Sequence, residues 1–411
     1  MVNPGSAILF AFAAMLGLSG CGGRPEGVLI PVSDTAQSAR KIDILVATTR
    51  SSEGAAAGQM FTGERGPDVS FADIRVSVPN VRTVGEVQWP EGQKPDPEKN
   101  FVTVKADRID RTEAQRRFHQ RVGQTPKRRV LIFVHGYNTK FEEAVYRFAQ
   151  IVHDSDAPVT AVLFTWPSRG RLLAYNYDRE SANYSRDVLE TILKTLSSDS
   201  AVSEISILAH SMGNWVTMEA LRQMAIRDKK LPSKIKNIMM AAPDVDVDVF
   251  RRQIASLPGA NAGSPFTLFV SQDDSALAVS RQLWGGTPRL GSVDPKQEPY
   301  KSEFAKSRMQ VIDLTEVQTS DKVGHGKFAE SPEVVQMIGR RLASGQDLSD
   351  GKAGLGDKLT GVVMGATGAV GSAASMAIHA PLAIVDPSSR EAMGEHFEEF
   401  RSSTGRVVRP N

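Results

Sequence analysis

A serine between two small residues follows a strand-like apolar run and precedes a helix-like pattern. The run is Ile205-Ser206-Ile207-Leu208, the serine segment is Ala209-His210-Ser211-Met212-Gly213, and the helical pattern extends from Trp215 to Met224. A strand, a sharp turn that carries Ser and then a helix form a nucleophile elbow, in which small flanking residues let strand and helix pass closely. The alternative is an ordinary strand–helix turn. The pattern predicts that Ser211 is a nucleophile at the end of a buried strand.

An earlier apolar run ends in a His-Gly turn. Arg129 to Val134 has the length and the continuous apolar character of a strand that is covered on both faces, and His135-Gly136-Tyr137-Asn138 follows it. Such a turn supplies half of an oxyanion hole, and the residue after the nucleophile supplies the other half. We therefore expect the backbone N–H groups of Tyr137 and Met212 to stabilise a developing oxyanion. For the His135 imidazole we favour a structural role that holds the turn.

A nucleophilic serine requires a base, and the base requires an acid that orients it. In chains with such an elbow the order is Ser, then acid, then His. Three of the seven histidines follow Ser211, namely His325, His379 and His396. His379 lies in a Gly/Ala-rich segment and His396 in a charged tail, whereas His325 lies in a Gly-flanked loop between a predicted strand and a predicted helix. We expect His325 to be the base; the alternative is a solvent-facing loop histidine.

Three aspartates are candidates for the acid. Asp273 and Asp274 follow the apolar run Phe266 to Val270, where a carboxylate can reach the histidine loop, and Asp244 follows the run Ile235 to Ala241. Adjacent residues point in different directions, so only one of the first pair is suited to the role. We rank Asp274 first, Asp273 second and Asp244 third. For Asp244 a structural role in a Pro-Asp turn is the favoured alternative.

The loop after the apolar run near residue 160 contains Trp166 and Tyr175. Loops at this edge of a sheet shape the substrate site. We expect the two aromatic side chains to line an acyl pocket. The alternative for Trp166 is that it packs the interior of its own loop.

Strand and helix patterns alternate from about residue 128 to residue 343. This alternation is typical of an α/β protein with a doubly wound, mostly parallel sheet and helices on both faces. Upstream, Lys41 to Thr49 and Ser70 to Pro79 are predicted strands, and Arg108 to Gly123 is a predicted outer helix. We expect a folded domain over residues 41–343, followed by a Gly/Ala-rich segment and a polar tail over residues 344–411. Within that last part, residues 359–378 have the length of a membrane span but are only weakly hydrophobic.

Five segments in the expected order resemble an alpha/beta-hydrolase family once catalogued only as a bacterial domain of unknown function, within the esterase/lipase superfamily. The resemblance extends over roughly residues 40 to 343 and implies the alpha/beta-hydrolase fold. The family pattern Ser-x-x-Asp-x-Ala-Leu also implies that Asp274 is the acid. It implies no particular substrate. The matching segments are Phe133-Val134-His135-Gly136-Tyr137-Asn138, Phe164-Thr165-Trp166-Pro167-Ser168, Ala209-His210-Ser211-Met212-Gly213-Asn214, Ala241-Ala242-Pro243-Asp244 and Gly324-His325-Gly326.

The amino terminus resembles a bacterial lipoprotein signal. An apolar run from Ala7 to Leu16 has signal-peptide length, and Leu18-Ser19-Gly20-Cys21 after it resembles a lipobox. We expect residues 1–20 to be a signal peptide, Cys21 to carry lipid, and residues 21–40 to be a tether. Residues 1–6 contain no Lys or Arg, which leaves an uncleaved anchor or a plain secreted protein as alternatives. Because Asp does not follow Cys21, the analogy places the protein at the outer membrane, facing the periplasm.

Composition excludes several functional classes. Cys21 is the single cysteine, so neither an intrachain disulfide nor a cysteine nucleophile in the mature body is possible. The 49 basic and 47 acidic residues nearly balance, so no basic surface for nucleic acid is indicated. We therefore expect a serine hydrolase of carboxylesterase or lipase type that acts on a small-molecule or lipid ester without metal or cofactor. An acyltransferase with the same triad and a non-catalytic envelope scaffold are the alternatives.

Overall fold

Apolar runs of the sequence form the central strands of one sheet in the computed structural model of the protein. The structure describes residues 26–33, 35–90, 95–257, 266–283, 285–307 and 309–344. In these ranges the strands are β1 (Lys41–Arg50), β2 (Arg65–Ser77), β3 (Val102–Ile109), β4 (Arg129–Val134), β5 (Thr160–Thr165), β6 (Glu204–His210), β7 (Ile235–Ala241), β8 (Phe266–Val270) and β9 (Gln310–Asp313).

The sheet is mostly parallel, with the strand order β3-β2-β1-β5-β4-β6-β7-β8-β9. β1 pairs with β2, and β2 with β3, in antiparallel fashion, whereas every pairing from β1–β5 to β8–β9 is parallel. The carboxyl ends of β4, β6, β7 and β8 consequently meet at one edge of the sheet. Loops at such an edge are where open α/β sheets bind ligands.

Helices cover both faces of the sheet. Val130, Ile132 and Val134 of β4 belong to one hydrophobic cluster, while Leu131 and Phe133 belong to another, as the period of two in a strand requires. In the described ranges the α-helices are α1 (Arg111–Gln124), α2 (Phe141–Ser155), α3 (Tyr175–Ser198), α4 (Gly213–Asp228), α5 (Val247–Ala255), α6 (Ser275–Leu283), α7 (Tyr300–Ser307), α8 (Lys327–Glu330) and α9 (Pro332–Ser344). Residues of α3 and α4 belong to the first cluster, and residues of α2 and α9 belong to the second.

The predicted doubly wound α/β architecture is confirmed, and β3 is an addition to it. Part of the expected tether packs on the body: Leu29 is buried, and the Val32 N–H donates to the Thr103 carbonyl of β3 (2.9 Å). The expected signal peptide, Cys21 and residues 345–411 lie outside the described residues. No helix within the described ranges is long and apolar enough to cross a membrane.

Candidate active site

Ser211 stands at the turn between β6 and α4. Its φ of 52° lies in the left-handed region, which costs a non-glycine residue roughly 1–2 kcal/mol. Hydrogen bonds hold this strained turn against the end of β7, since the Ser211 N–H donates to the Ala241 carbonyl (2.9 Å) and Asn214 Nδ2 donates to the carbonyls of both Ser211 and Ala241 (3.1 Å each). The Ser211 side chain is therefore presented at the carboxyl edge of the sheet.

Two glycines let the chain pass close to this serine. A Cβ on Gly213 would lie 2.4 Å from the His135 carbonyl oxygen and 2.6 Å from that of Val134, so the first turn of α4 touches the end of β4. A Cβ on Gly136 would lie 2.8 Å from the Cβ of Ser211. The His-Gly turn thus rests directly against Ser211, which is the packing that the small residues in both motifs predict.

The His135 imidazole holds the turn from inside. Burial and the nearby Arg50 guanidinium lower the pKa of His135 to about 3, so the ring is neutral. Its Nε2 accepts from the Trp166 N–H (3.2 Å), and its Nδ1 lies 2.8 Å from the Gly136 carbonyl oxygen. Since Nε2 is the acceptor, Nδ1 carries the hydrogen and donates to Gly136. These contacts give His135 the structural role that was favoured from the sequence.

Tyr137 and Met212, the expected oxyanion donors, flank the serine. Tyr137 follows the glycine that touches Ser211, and its ring packs on that of Tyr175 at 4.9 Å between centroids. Met212 directly precedes the first residue of α4, where backbone N–H groups have no partner within the helix. Both residues thus adjoin the turn that carries Ser211.

His325 and Asp274 form an ion pair at the same edge of the sheet. His325 Nδ1 lies 2.7 Å from Asp274 Oδ2, while Asp274 Oδ1 accepts from the Leu277 N–H (3.0 Å) at the start of α6. Burial by itself lowers the pKa of His325, but the Asp274 carboxylate, helped by Asp244 and Asp321, outweighs it and raises that pKa above its ordinary value. The Asp274 side chain is fully buried, whereas 19% of the His325 side chain is exposed and can meet a substrate.

Asp321 shapes the loop that carries His325, and sequence reasoning missed it. Its Oδ2 accepts from the N–H groups of His325 and Gly326 (2.8 Å each), and its Oδ1 accepts from the N–H of Val323 (2.9 Å). An aspartate shortly before a Gly-flanked residue is the sequence sign of such a turn, because Asp side chains bind backbone N–H groups a few residues further on. Asp321 is therefore a positioning residue for His325.

His210 connects the elbow to the histidine loop and was also missed. Its Nε2 lies 3.1 Å from the His325 carbonyl oxygen, and its ring centroid lies 4.7 Å from that of His325. Burial and the charge of His325 keep the pKa of His210 well below its ordinary value, so the ring is neutral and Nε2 is the donor. The residue before Ser211 thus helps to hold the His325 loop in place.

The two other candidate aspartates are engaged elsewhere. Asp273 pairs with the buried ammonium of Lys327 (2.8 Å), which also donates to the carbonyls of Leu314 and Thr315. Asp244 accepts from the hydroxyls of Tyr175 and Ser280 (2.7 Å each). Of the three ranked aspartates, Asp274 is the one that the structure brings into hydrogen-bond contact with His325.

A cavity of about 150 Å³ adjoins the elbow. Tyr175 lines it, as expected from the sequence. Trp166 does not: its side chain has no exposed surface, stacks on His135 (4.9 Å between centroids) and donates from its indole N–H to the His135 carbonyl (2.9 Å). Trp166 therefore packs the loop interior, the alternative left open by the sequence. The cavity is lined by Met212, Tyr175, Arg179, Trp215, Asp244 and Arg289.

Metal ligands are not grouped in the part of the chain that the structure describes. No cluster of three or more His, Cys, Asp or Glu side chains in these ranges is placed to hold an ion.

The strand order, the strained serine between β6 and α4, and the Asp–His pair on the loops after β8 and β9 define an alpha/beta-hydrolase fold. Residues 110–341 match the family model described as alpha/beta hydrolase of unknown function (DUF900). The chain belongs to this family.

Individual relatives are distant. An uncharacterized protein from Nostoc sp. (strain PCC 7120) is 22% identical over 282 residues, which cover 51% of this chain and 72% of the relative. A predicted CIB-like hydrolase from Thermoplasma acidophilum is 13% identical, with a TM-score of 0.31 and coverage of 66% of this chain and 92% of that one. An esterase from Pyrobaculum calidifontis is 12% identical, with a TM-score of 0.29 and coverage of 74% and 85%. The site described above does not depend on these likenesses.

Proposed function

We propose that this protein is a serine hydrolase that cleaves ester bonds, with Ser211 as nucleophile, His325 as base and Asp274 as the acid that orients it. The observation that carries the proposal is the 2.7 Å contact between His325 Nδ1 and Asp274 Oδ2 at the edge of the sheet where Ser211 is presented. When the Nδ1 hydrogen is donated to the carboxylate, Nε2 keeps its lone pair. This is the tautomer that a base requires.

In the proposed cycle, Ser211 Oγ attacks the ester carbonyl while His325 Nε2 takes the hydroxyl proton. The carbonyl π electrons move to its oxygen, and the N–H groups of Tyr137 and Met212 hold the resulting oxyanion. When the oxyanion collapses, the bond to the alcohol oxygen breaks, and that alcohol leaves with the proton from His325. Water then repeats the sequence on the acyl-enzyme, which releases the acid and restores Ser211.

The contribution of each of these groups to the reaction rate is known to an order of magnitude. A positioned general base contributes about 10²- to 10⁴-fold in rate. Each backbone donor to the oxyanion contributes about 10²- to 10³-fold. The Gly136 and Gly213 contacts matter here, because they fix both donors against Ser211 before any charge develops.

Pre-steady-state hydrolysis of a chromogenic aryl ester tests the proposal. We expect a burst of phenol release with an amplitude of one per enzyme molecule, because an activated aryl ester should acylate Ser211 faster than water releases the acid. Ser211→Ala should abolish both the burst and the turnover. The proposal would be contradicted if the wild-type protein hydrolysed aryl esters no faster than Ser211→Ala does, whether their acyl chains are short, medium or long.

The acyltransferase alternative has its own readout in the same assay. Addition of an alcohol or amine acceptor should leave the free acid as the main product of a hydrolase. If the acyl group passes to the acceptor in preference to water, the same triad serves acyl transfer instead. A folded protein without burst or turnover in either format would favour the non-catalytic scaffold.

We also propose that lipid on Cys21 holds the enzyme in the cell envelope, at the outer membrane facing the periplasm. The lipobox-like Leu18-Ser19-Gly20-Cys21 supports this location. Several acyl chains give durable anchoring, because each buried CH₂ contributes about 0.8 kcal/mol.

A further inference from the structure

The cavity beside the elbow lies where part of an ester substrate must go. Met212, whose N–H is a proposed oxyanion donor, forms part of its wall. Asp244, on the same wall, donates its backbone N–H to the Ser211 carbonyl (3.3 Å). A group that enters this cavity is therefore next to the reacting carbonyl.

Arg289 presents an unused pair of donors in this cavity. The residue is 7% exposed and lines the cavity. Its Nε lies 3.2 Å from both Ser280 Oγ and Asp244 Oδ1. Among the described residues, neither Nη1 nor Nη2 of Arg289 has a hydrogen-bond acceptor. Both nitrogens reach the open space of the cavity, where a bound ligand can supply acceptors in place of water.

The carboxylates of the cavity wall are already engaged. Asp244 accepts from the hydroxyls of Tyr175 and Ser280 in addition to its contact with Arg289. Asp246 caps α5, where its Oδ1 accepts from the N–H groups of Asp248 (2.9 Å) and Val249 (3.2 Å). The negative charges of the wall are thus directed to protein donors.

Further positive charge comes from a second arginine, since the amino terminus of α5 at this wall is already capped by the Asp246 carboxylate. Arg179 also lines the cavity, with its guanidinium carbon 5.4 Å from the centroid of the Trp215 ring. The polar edge of Arg289 is therefore in surroundings that favour an anionic ligand.

We propose that this cavity binds a carboxylate that the ester substrate carries near its scissile bond, with the Nη1 and Nη2 donors of Arg289 as its principal partners. The planar guanidinium edge matches the two oxygens of a carboxylate. The volume of about 150 Å³ accommodates a short group at this position. This inference rests on the proposed hydrolase function and adds to it a substrate class, small acidic esters rather than long-chain neutral lipids.

Matched pairs of anionic and neutral esters test the inference. For the acyl side, methylumbelliferyl hemiadipate is compared with methylumbelliferyl hexanoate; for the alcohol side, acetoxybutyrate is compared with butyl acetate. We expect the anionic member of at least one pair to have the higher kcat/KM, by about 10- to 100-fold, the ratio that one charge-assisted hydrogen bond or a pair of them supplies. No preference for the anionic member in either pair would overturn the inference.

Variants of Arg289 locate the preference. Arg289→Gln should reduce the ratio of anionic to neutral kcat/KM to near one. The control is Arg252→Gln, an exposed arginine of α5, which should keep the wild-type ratio. If Arg289→Gln does not fold, Arg289→Lys keeps a positive charge beside Asp244 but loses the planar pair of donors, and the ratio should fall in this folded variant. If a folded Arg289 variant keeps the wild-type ratio of anionic to neutral kcat/KM, the inference is overturned.

Fluorophosphonate labelling separates this inference from the proposed function. Wild-type protein that labels on Ser211 but does not distinguish the ester pairs would retain the hydrolase and lose the carboxylate site. Protein that neither labels nor hydrolyses any of the four esters would overturn both.

Discussion

The neighbours of His325 fix both its hydrogen and its charge, as its proposed role as a base requires. Asp274 accepts from Nδ1, Asp321 holds the backbone of the loop, and His210 donates to the His325 carbonyl. The Ser-Asp-His order along the chain, the Gly-flanked histidine and the ranking of Asp274 as the first candidate all came from the sequence. The roles of His210 and Asp321 did not, because they depend on loops that come together only in the folded chain.

The identity of the acid gives the first prediction. Asp274→Asn should reduce kcat by roughly 10⁴-fold, because an amide no longer stabilises the tautomer and the charge that His325 needs. Asp273→Asn and Asp244→Asn should reduce kcat far less, since these carboxylates bind Lys327 and Tyr175. Ester hydrolysis per folded molecule measures all three. A crippled Asp244→Asn beside a nearly normal Asp274→Asn would reverse the assignment.

The titration of His325 gives the second prediction. The neutral ring is the active base, and Asp274 raises the pKa of His325 above its ordinary value of 6.5 despite burial. The rate constant kcat/KM should therefore rise with pH through a midpoint above 6.5. In Asp274→Asn the burial that lowers the pKa is no longer opposed by this carboxylate, so the midpoint of the residual activity should move to lower pH. A midpoint that does not move would show that another group titrates.

At the scale of elements, the site depends on how closely β4, β6 and α4 approach one another. The buried strands were predictable because unbroken apolar runs occur where a strand is covered on both faces. β3 was not, because Val102–Ile109 places charged residues such as Lys105 and Arg108 within a partly exposed strand. Trp166 shows a related limit of sequence analysis. The residue types in a loop do not reveal whether an aromatic side chain packs inside the loop or lines a cavity.

The approach of α4 to β4 gives the third prediction. Gly213→Ala should lower the free energy of unfolding by about 1–3 kcal/mol, because its Cβ would lie 2.4 Å from the His135 carbonyl oxygen, which accepts from the Trp166 indole, and 2.6 Å from that of Val134 in β4. Gly123→Ala in α1 is the matched control. No atom lies within 4 Å of its Cβ position, so the gain in helix propensity should raise stability by about 0.5–1 kcal/mol. Urea denaturation measures both, and equal stability of Gly213→Ala and wild type would refute the close approach.

At the scale of the whole molecule, one edge of the sheet brings together residues from Tyr137 to His325. Parallel pairing of β4, β6, β7, β8 and β9 makes this possible, because their carboxyl ends point the same way. The alternation of strand and helix patterns predicts this architecture. The contacts of Arg289 with Asp244 and Ser280 were not predictable from the sequence. They join the loop after α6, which carries Arg289, to the turn after β7, which carries Asp244, and to Ser280 within α6.

The location of the molecule gives the fourth prediction. Cys21 should carry diacylglycerol and an acylated amine, and mass spectrometry of the mature amino-terminal peptide should show both. Cys21→Ser should block this processing and leave the signal peptide uncleaved. Recovery of the wild-type protein in a salt wash without detergent would contradict the anchor, while the proposed chemistry at Ser211 would be unaffected.

Fluorophosphonate labelling with peptide mapping tests whether Ser211 is an activated nucleophile. Wild-type protein should incorporate one label per molecule on the peptide that contains Ser211, and His325→Ala should label far more slowly because the serine loses its base. Ser211→Ala should not label. Labelling of Ser211→Ala at the wild-type rate and stoichiometry would show that the nucleophile lies elsewhere.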